Sequence, residues 1–192
     1  NRTFSTPTDN KKWTLSFWMK LGQQGIVGGI MSAGSSGVVN SWILINSGAI
    51  QYQHDTTNYF YTNTTKLRDP AAWYHMVFVY DSANATAANR FRVYANNLEL
   101  TNTVTPMAQN TTTRLNSAVA QNIGRFLPTA ANYFDGYITE TNFIDGQALT
   151  PSSFGEFNAI TGVWQPKKYA GTYGTNGFYL NFSDNSAATA AA

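Results

Sequence analysis

The sequence predicts an all-β protein, a two-sheet antiparallel β-sandwich, and three observations carry that reading. Short extended segments recur between turn signals along the whole chain, with almost no helical periodicity. Strand and turn formers dominate: there are 24 Thr, 20 Asn and 13 Ser, and aromatics reach 15%. Thr and aromatic side chains suit a pleated surface, whereas Asn, Ser and Gly suit tight bends. Charged residues make up only 11%, well below the ~25% of an ordinary soluble domain. Polarity therefore comes from uncharged side chains. At 192 residues a single core can hide roughly 70% of the unfolded surface.

The elements follow in order. WTLSFWM, from Trp13 to Met19, sends Trp13, Leu15, Phe17 and Met19 to one face and Thr14, Ser16 and Trp18 to the other. SWILIN (41–46) and AIQYQ (49–53) flank Ser47-Gly48, which predicts a tight hairpin. NYFYT (58–62) follows. WYHMVFVYD (73–81) is apolar or aromatic on both faces, as a strand between two packed layers must be. FRVYANNLEL (91–100) predicts a hairpin whose Asn96-Asn97 accepts positive φ.

QNIGRF (121–126), YFDGYITETNFID (133–145) and GFYLNF (177–182) complete the strands. Thr150-Pro151 reads as an N-cap with proline at the first helical position, predicting one short helical turn near 151–157. Between the strands, AQNTTTRLNSAVAQ (108–121) and GTYGTNG (171–177) read as loops. The expected division is a sandwich over 1–185 and an Ala-rich linker or tail over 186–192.

A net charge of +2 is too small to imply a nucleic-acid or acidic-lipid partner, and Lys11-Lys12 and Lys167-Lys168 read as isolated solvated pairs. The absence of cysteine excludes disulfides and thiolate metal sites. No apolar run approaches the ~20 residues that insert across a bilayer.

YFDGYITETNFIDGQALTPSSFGEF (133–157) holds Asp135, Glu140, Asp145 and Glu156, four of the ten carboxylates. A glycosidase needs two carboxyl groups about 5–9.5 Å apart. Asp135 and Glu140 come nearest in sequence, yet five extended residues span about 16 Å, and the odd offset points them to opposite faces. Asp135-Gly136 and Asp145-Gly146 read as bends or bulges. His75 reads as a hydrogen-bonded core residue, because no supporting motif makes it a base. No catalytic residue is assigned.

The candidate carbohydrate contacts are Trp42, Tyr52, Tyr59 and Tyr61, with Gln51, Gln53 and His54 interleaved. A flat ring offers an apolar face to a pyranose while neighbouring amides serve its hydroxyls. The same alternation also suits a sandwich core or an interface. Trp164 and Tyr169, beside WQPKKY, carry the same ambiguity. For a hard cation, Asp55, Asp135 and Asp145 offer oxygen ligands in loops or at strand ends, so calcium is a possible cofactor, although none forms a spaced calcium loop.

LSFWMK, then WYHMVFVYD with RFRVYANNLEL, then IGRF leading into YFDGYITETNFIDGQALT resemble the laminin-G-like, concanavalin A-like lectin/glucanase superfamily, a jelly-roll sandwich. The resemblance covers about Trp13 to Thr150. Many of that superfamily hold calcium at a rim. Its glucanases carry Glu-x-Asp-x-x-Glu or a close variant on one strand, and this sequence lacks that motif.

Both ends, NRTFSTPTDNKKWTLSFWMK and GEFNAITGVWQPKKYAGTYGTNGFYLNFSDNS, resemble a lineage in structural proteins of marine tailed phages and related viruses. This resemblance implies a non-enzymatic module of a fibre, spike or capsid decoration on the virion surface. Its implied partners are other virion proteins and host or environmental glycans, with homo-oligomers plausible and a glycoside hydrolase as the alternative. Family members usually begin with a further strand ahead of Asn1, so a longer parent protein is expected.

Overall fold

The computed structural model describes residues 1–34, 40–62, 67–126 and 132–183, the side chain of Asn58 excepted. The Ala-rich tail expected over 186–192 lies outside the described residues. Strands form where apolar and polar residues alternate. In chain order they are β1 (Arg2–Thr3), β2 (Lys12–Leu21), β3 (Val27–Ala33), β4 (Ser41–Asn46), β5 (Ala49–His54), β6 (Thr57–Tyr61) and β7 (Tyr74–Asp81). A 3-10 turn at Ala87–Asn89 leads to β8 (Phe91–Ala95), β9 (Leu98–Glu99), β10 (Ala120–Ile123) and β11 (Gly136–Asp145). The expected helical turn is a second 3-10 turn, Pro151–Ser153, followed by β12 (Gly155–Phe157), β13 (Trp164–Pro166) and β14 (Phe178–Leu180).

Two six-stranded antiparallel sheets result, ordered β1-β10-β3-β4-β5-β6 and β14-β11-β2-β7-β8-β9, while β12 and β13 form a separate ribbon. Among the described residues no helix is long and apolar enough to cross a membrane. Trp13, Leu15, Phe17 and Met19 of β2 lie in one buried cluster with Ile43, Ile45, Ile50 and Tyr52 of the first sheet. Trp13 organises it, stacking on Tyr80 at 5.2 Å and on Phe143 at 6.0 Å between ring centroids. Each such pair adds about 0.5–1.5 kcal/mol beyond the area it buries.

β7 is buried on both sides, as its composition predicts. Val77 and Val79 face away from the main core and join Ile144 and Phe154 in a second cluster, over which Leu149, Tyr169 and Tyr173 pack. The chain beyond β11 therefore lies back across the outer face of the second sheet.

Both predicted hairpins form. Ser47 and Gly48 take φ of 51° and 80°, and Asn96 and Asn97 take 48° and 69°, the positive values that primed two-residue turns require. β3 has no counterpart among the predicted segments, and its Gly28-Gly29 pair is unusual inside a strand. A Cβ on Gly29 would meet the Arg125 and Phe126 backbone within 2.7 Å, and Gly29 N–H donates to the Asn132 carbonyl at 2.9 Å. Glycine is present there because another part of the chain crosses directly over the strand.

Asp145 does more than close a bend. It is 1% exposed, and its carboxylate accepts four N–H groups. Oδ2 takes the backbone N–H of Thr8 at 2.8 Å and of Asn176 at 3.1 Å. Oδ1 takes the Asn116 side-chain amide at 2.8 Å and the Asp9 backbone N–H at 3.4 Å. Asn176 in turn binds Ser5 N–H and the Ser5 carbonyl, both at 2.9 Å. One buried anion thus ties the entry to β2, the loop before β10 and the segment before β14 to the end of β11.

Asp145→Asn keeps the shape but turns an NH2 toward N–H donors. It should lower the unfolding free energy in urea by about 3 kcal/mol, or Tm by roughly 6–12 °C. A loss under about 0.5 kcal/mol would contradict the role given to this carboxylate.

Candidate functional site

The register of β11 against β2 breaks once. Thr139 pairs with Trp18, and pairing resumes with Asn142 opposite Ser16, so β11 carries one extra residue, a bulge. Glu140 lies in it with φ of 50°, a left-handed conformation that costs a non-glycine residue about 1 kcal/mol or more. Bulges re-aim side chains, and strained residues cluster at functional sites.

Beside this bulge lies a groove of about 590 Å³. β11 supplies Thr139, Glu140 and Asn142; the segment from β13 onward supplies Pro166, Lys167, Lys168, Tyr169, Tyr173 and Tyr179. Tyr179 donates its hydroxyl to Glu140 Oε1 at 2.8 Å, and Tyr173 donates to Asn142 Oδ1 at 3.0 Å. Tyr169 donates to the Thr172 carbonyl at 3.1 Å and meets the Tyr173 ring edge to face at 5.2 Å. Loss of hydration, reinforced by the Glu140 carboxylate, pushes the Tyr179 hydroxyl up to about 12, so it remains a donor at neutral pH. Tyr179 as a residue is 45% exposed.

A second feature of this face is closed to solvent. His75 is fully buried, with Nε2 2.9 Å from Ser16 Oγ and Nδ1 accepting the Trp164 indole N–H at 2.9 Å. Indole only donates, so Nδ1 is unprotonated and Nε2–H donates to Ser16. Trp18 stacks on the imidazole at 5.1 Å. Indole, and no carboxylate, holds Nδ1, which is not the arrangement of a Ser-His-Asp triad. His75 is thus the hydrogen-bonded core histidine its position predicts, and Trp164 is its cover.

The four aromatic sugar-contact candidates separate. Trp42 and Tyr61 lie on the outer face of the first sheet, opposite Gln53 and Gln51 respectively. Trp42 is half-buried against Phe126, edge to face at 5.3 Å. Tyr52, one residue out of phase with both glutamines, faces inward. It is fully buried and stacks on Phe91 at 4.3 Å, which leaves no ring face for a sugar. Regular alternation would place Tyr59 beside Tyr61, but the pairing of β5 with β6 slips at this point. Tyr59 instead packs against the main core, 6.4 Å from Tyr52.

The acids disperse as well. Asp55 is exposed at φ of 54° in the turn after β5. Asp135, exposed ahead of β11, accepts the Gln23 amide at 3.0 Å, while Glu140 holds Tyr179. Asp135 and Asp145 lie at opposite ends of β11, and Asp55 belongs to the other sheet. N–H groups point at both oxygens of Asp145, a donor set that opposes a cation, so this residue does not fit a calcium ligand. Among the described residues, no group of three or more His, Asp or Glu could hold a metal ion. Both Asp-Gly pairs carry glycine at positive φ, 155° for Gly136 and 88° for Gly146.

As a ligand contact, sequence reasoning singled out one residue of the groove, Tyr169, and left it ambiguous; the rest went unmarked. The groove's residues are split between β11 and WQPKKYAGTYGTNGFY, and only the fold brings them together. A signal was present: three tyrosines and two lysines fall within 167–179 without the period of a strand or helix, so no buried stripe accounts for them.

Fold and groove together define a class, a jelly-roll β-sandwich with a polar, tyrosine-lined surface site. The sequence pattern of the concanavalin A-like lectin/glucanases superfamily matches residues 2–153, and the chain belongs to that family. No curated protein matches the sequence.

Solved structures share the fold. A Bacteroides ovatus protein thought to bind carbohydrate is 16% identical with a TM-score of 0.64, over 95% of this chain and 48% of its own. The chain thus spans about half the length of that relative. The heptameric SAP-like pentraxin of Limulus polyphemus is 16% identical, TM-score 0.57, over 89% and 83% of the two chains. The CBM40 of Ruminococcus gnavus IT-sialidase, bound to α2,3-sialyllactose, is 13% identical, TM-score 0.53, over 74% and 79%.

Burial holds the His75 imidazole down to about 4, whereas a histidine in the unfolded chain titrates near 6.5. The folded state refuses a proton that the unfolded chain accepts. The stability this contributes is complete above about pH 6.5 and is lost as pH falls toward 4. Between pH 7.5 and pH 5 this one residue should account for a loss of about 2 kcal/mol in urea unfolding, and His75→Asn should remove that share of the pH dependence. Burial lowers His54 in the same direction, so the His75 variant isolates one contribution. An unchanged pH slope in that variant would contradict the assignment.

Proposed function

We propose that this protein is a carbohydrate-binding module and that the tyrosine groove is its binding site. The observation that carries the reading is exposed Tyr179, fixed beside Glu140 and Asn142. A pyranose presents an apolar face and a fringe of hydroxyls; an aromatic ring complements the first, and carboxylate and amide oxygens complement the second. Hydrogen bonds from Tyr179 and Tyr173 already orient those groups, so little ordering remains to oppose binding. The names of the Bacteroides and Ruminococcus neighbours, which record carbohydrate and sialyllactose, support the reading through a shared fold.

The role is proposed to be non-enzymatic and to need no metal. The acids support this, since Asp135, Glu140 and Asp145 each hold a different set of partners. The resemblance of both chain ends to tailed-phage structural proteins supports a place on a virion surface, in a fibre, spike or decoration. There the module would contact other virion proteins, in a homo-oligomer, and display its groove to host or environmental glycans.

A glycan array should show saturable binding that Tyr179→Ala weakens about tenfold or more, while Trp42→Ala leaves it unchanged. Loss with Trp42→Ala alone would move the site to the first sheet. Release of reducing ends, abolished by Glu140→Gln, would establish the hydrolase alternative, and no saturable binding to any glycan would sink the proposal.

A further inference from the structure

We propose that the groove selects saccharides bearing a negative charge, a carboxylate or a sulfate ester; this rests on the reading of the groove as a carbohydrate site. Charge is scarce in this chain, with 12 basic residues in 192, yet two consecutive lysines line one groove. Glu140 is the only acid in that lining, so the groove carries a net positive charge.

The lysines have no internal use that accounts for them. Lysines placed for structure would pair with Glu140, which shares their groove. Glu140 is instead held by Tyr179, and no ion pair joins it to either lysine. Lys167 Nζ reaches only the Ser152 carbonyl, at 3.4 Å. Lys168 makes no side-chain hydrogen bond or ion pair among the described residues.

Their backbone is anchored on both sides. Lys167 N–H donates to the Phe154 carbonyl at 2.9 Å, and the residue after Lys168, Tyr169, packs its ring on Phe154 at 5.2 Å. Two ammonium groups, neither in an ion pair among the described residues, thus project from a fixed stretch beside Tyr179. An acidic sugar matches all three parts: its charge meets the lysines, its apolar face meets Tyr179 and its hydroxyls meet Glu140 and Asn142. The lysines and tyrosines lie beyond residue 153, where the family match ends, so this selectivity belongs to the segment added after it.

The test uses immobilised matched pairs: polygalacturonate with its carboxyl-reduced form, and a sulfated galactan with its desulfated form. The acidic member of at least one pair should bind about fivefold to tenfold more tightly at low salt, as two solvent-screened ion pairs allow. That advantage should shrink as ionic strength rises, and it should disappear in the Lys167→Gln/Lys168→Gln double variant. Preference within only one pair identifies carboxylate or sulfate as the recognised group. Salt dependence is read on the unmodified protein, so the test survives a variant that fails to fold.

Equal or better binding of the neutral members overturns the inference and leaves the carbohydrate reading standing. An acidic preference that is insensitive to salt, or that persists in the double variant, also overturns it. Binding to no member of either pair overturns it too; the fate of the wider reading then rests on the full array.

Discussion

The buried carboxylate of Asp145 is the constraint on which the arrangement depends. A charge removed from water is costly unless every lone pair finds a donor, and four N–H groups from three parts of the chain meet that demand. The network is directional as well as attractive. It brings the entry to β2, Asn116 and Asn176 to the end of one strand, where apolar contact alone would leave their relative positions loose. Among the described residues no positive side chain takes part in it. The protein stabilises this anion with amide dipoles, which suits a chain so poor in charge.

From that anchor the rest of the second sheet's outer surface follows. Asn176 is locked against Ser5 and Asp145, so the chain on either side of it must lie across β11 and β2. The indole of Trp164 seals His75, and Tyr169 and Tyr173 cap Val77, Val79 and Ile144. What this covering leaves open is the strip along the β11 bulge, and there Glu140, Asn142 and three tyrosines face one another. The groove is where an added layer stops short of covering a sheet.

Much of the architecture was legible in the sequence because period-two alternation and turn chemistry are local. Trp13 to Met19, the both-face burial of β7 and the Ser47-Gly48 and Asn96-Asn97 turns needed no tertiary information. β3 was hidden because its glycines answer to a distant backbone crossing. The site was hidden for a related reason. Trp42 and Tyr61 do share an outer face, but a one-residue slip in β6 turns Tyr59 inward, and the phase of Tyr52 buries it. The Asp135-Gly136 and Asp145-Gly146 pairs were readable as bends, whereas the four donors on Asp145 come from residues up to 137 positions away. No pattern along the chain announces them.

The groove's two walls have different dependencies. One wall is β11, whose successive residues Phe143 and Ile144 face the two cores; the other is β13, the loop after it and Tyr179 of β14, held mainly from Phe154, Asn176 and Asp145. Exposed positions on the second wall, Lys168 among them, can be exchanged at little cost to folding, since surface substitutions away from such anchors usually stay within about 0.5 kcal/mol. The first wall has no such latitude. The chemistry of one bank of the cleft can therefore be rewritten while the other bank keeps the molecule folded, a separation that makes this scaffold a natural candidate for engineering.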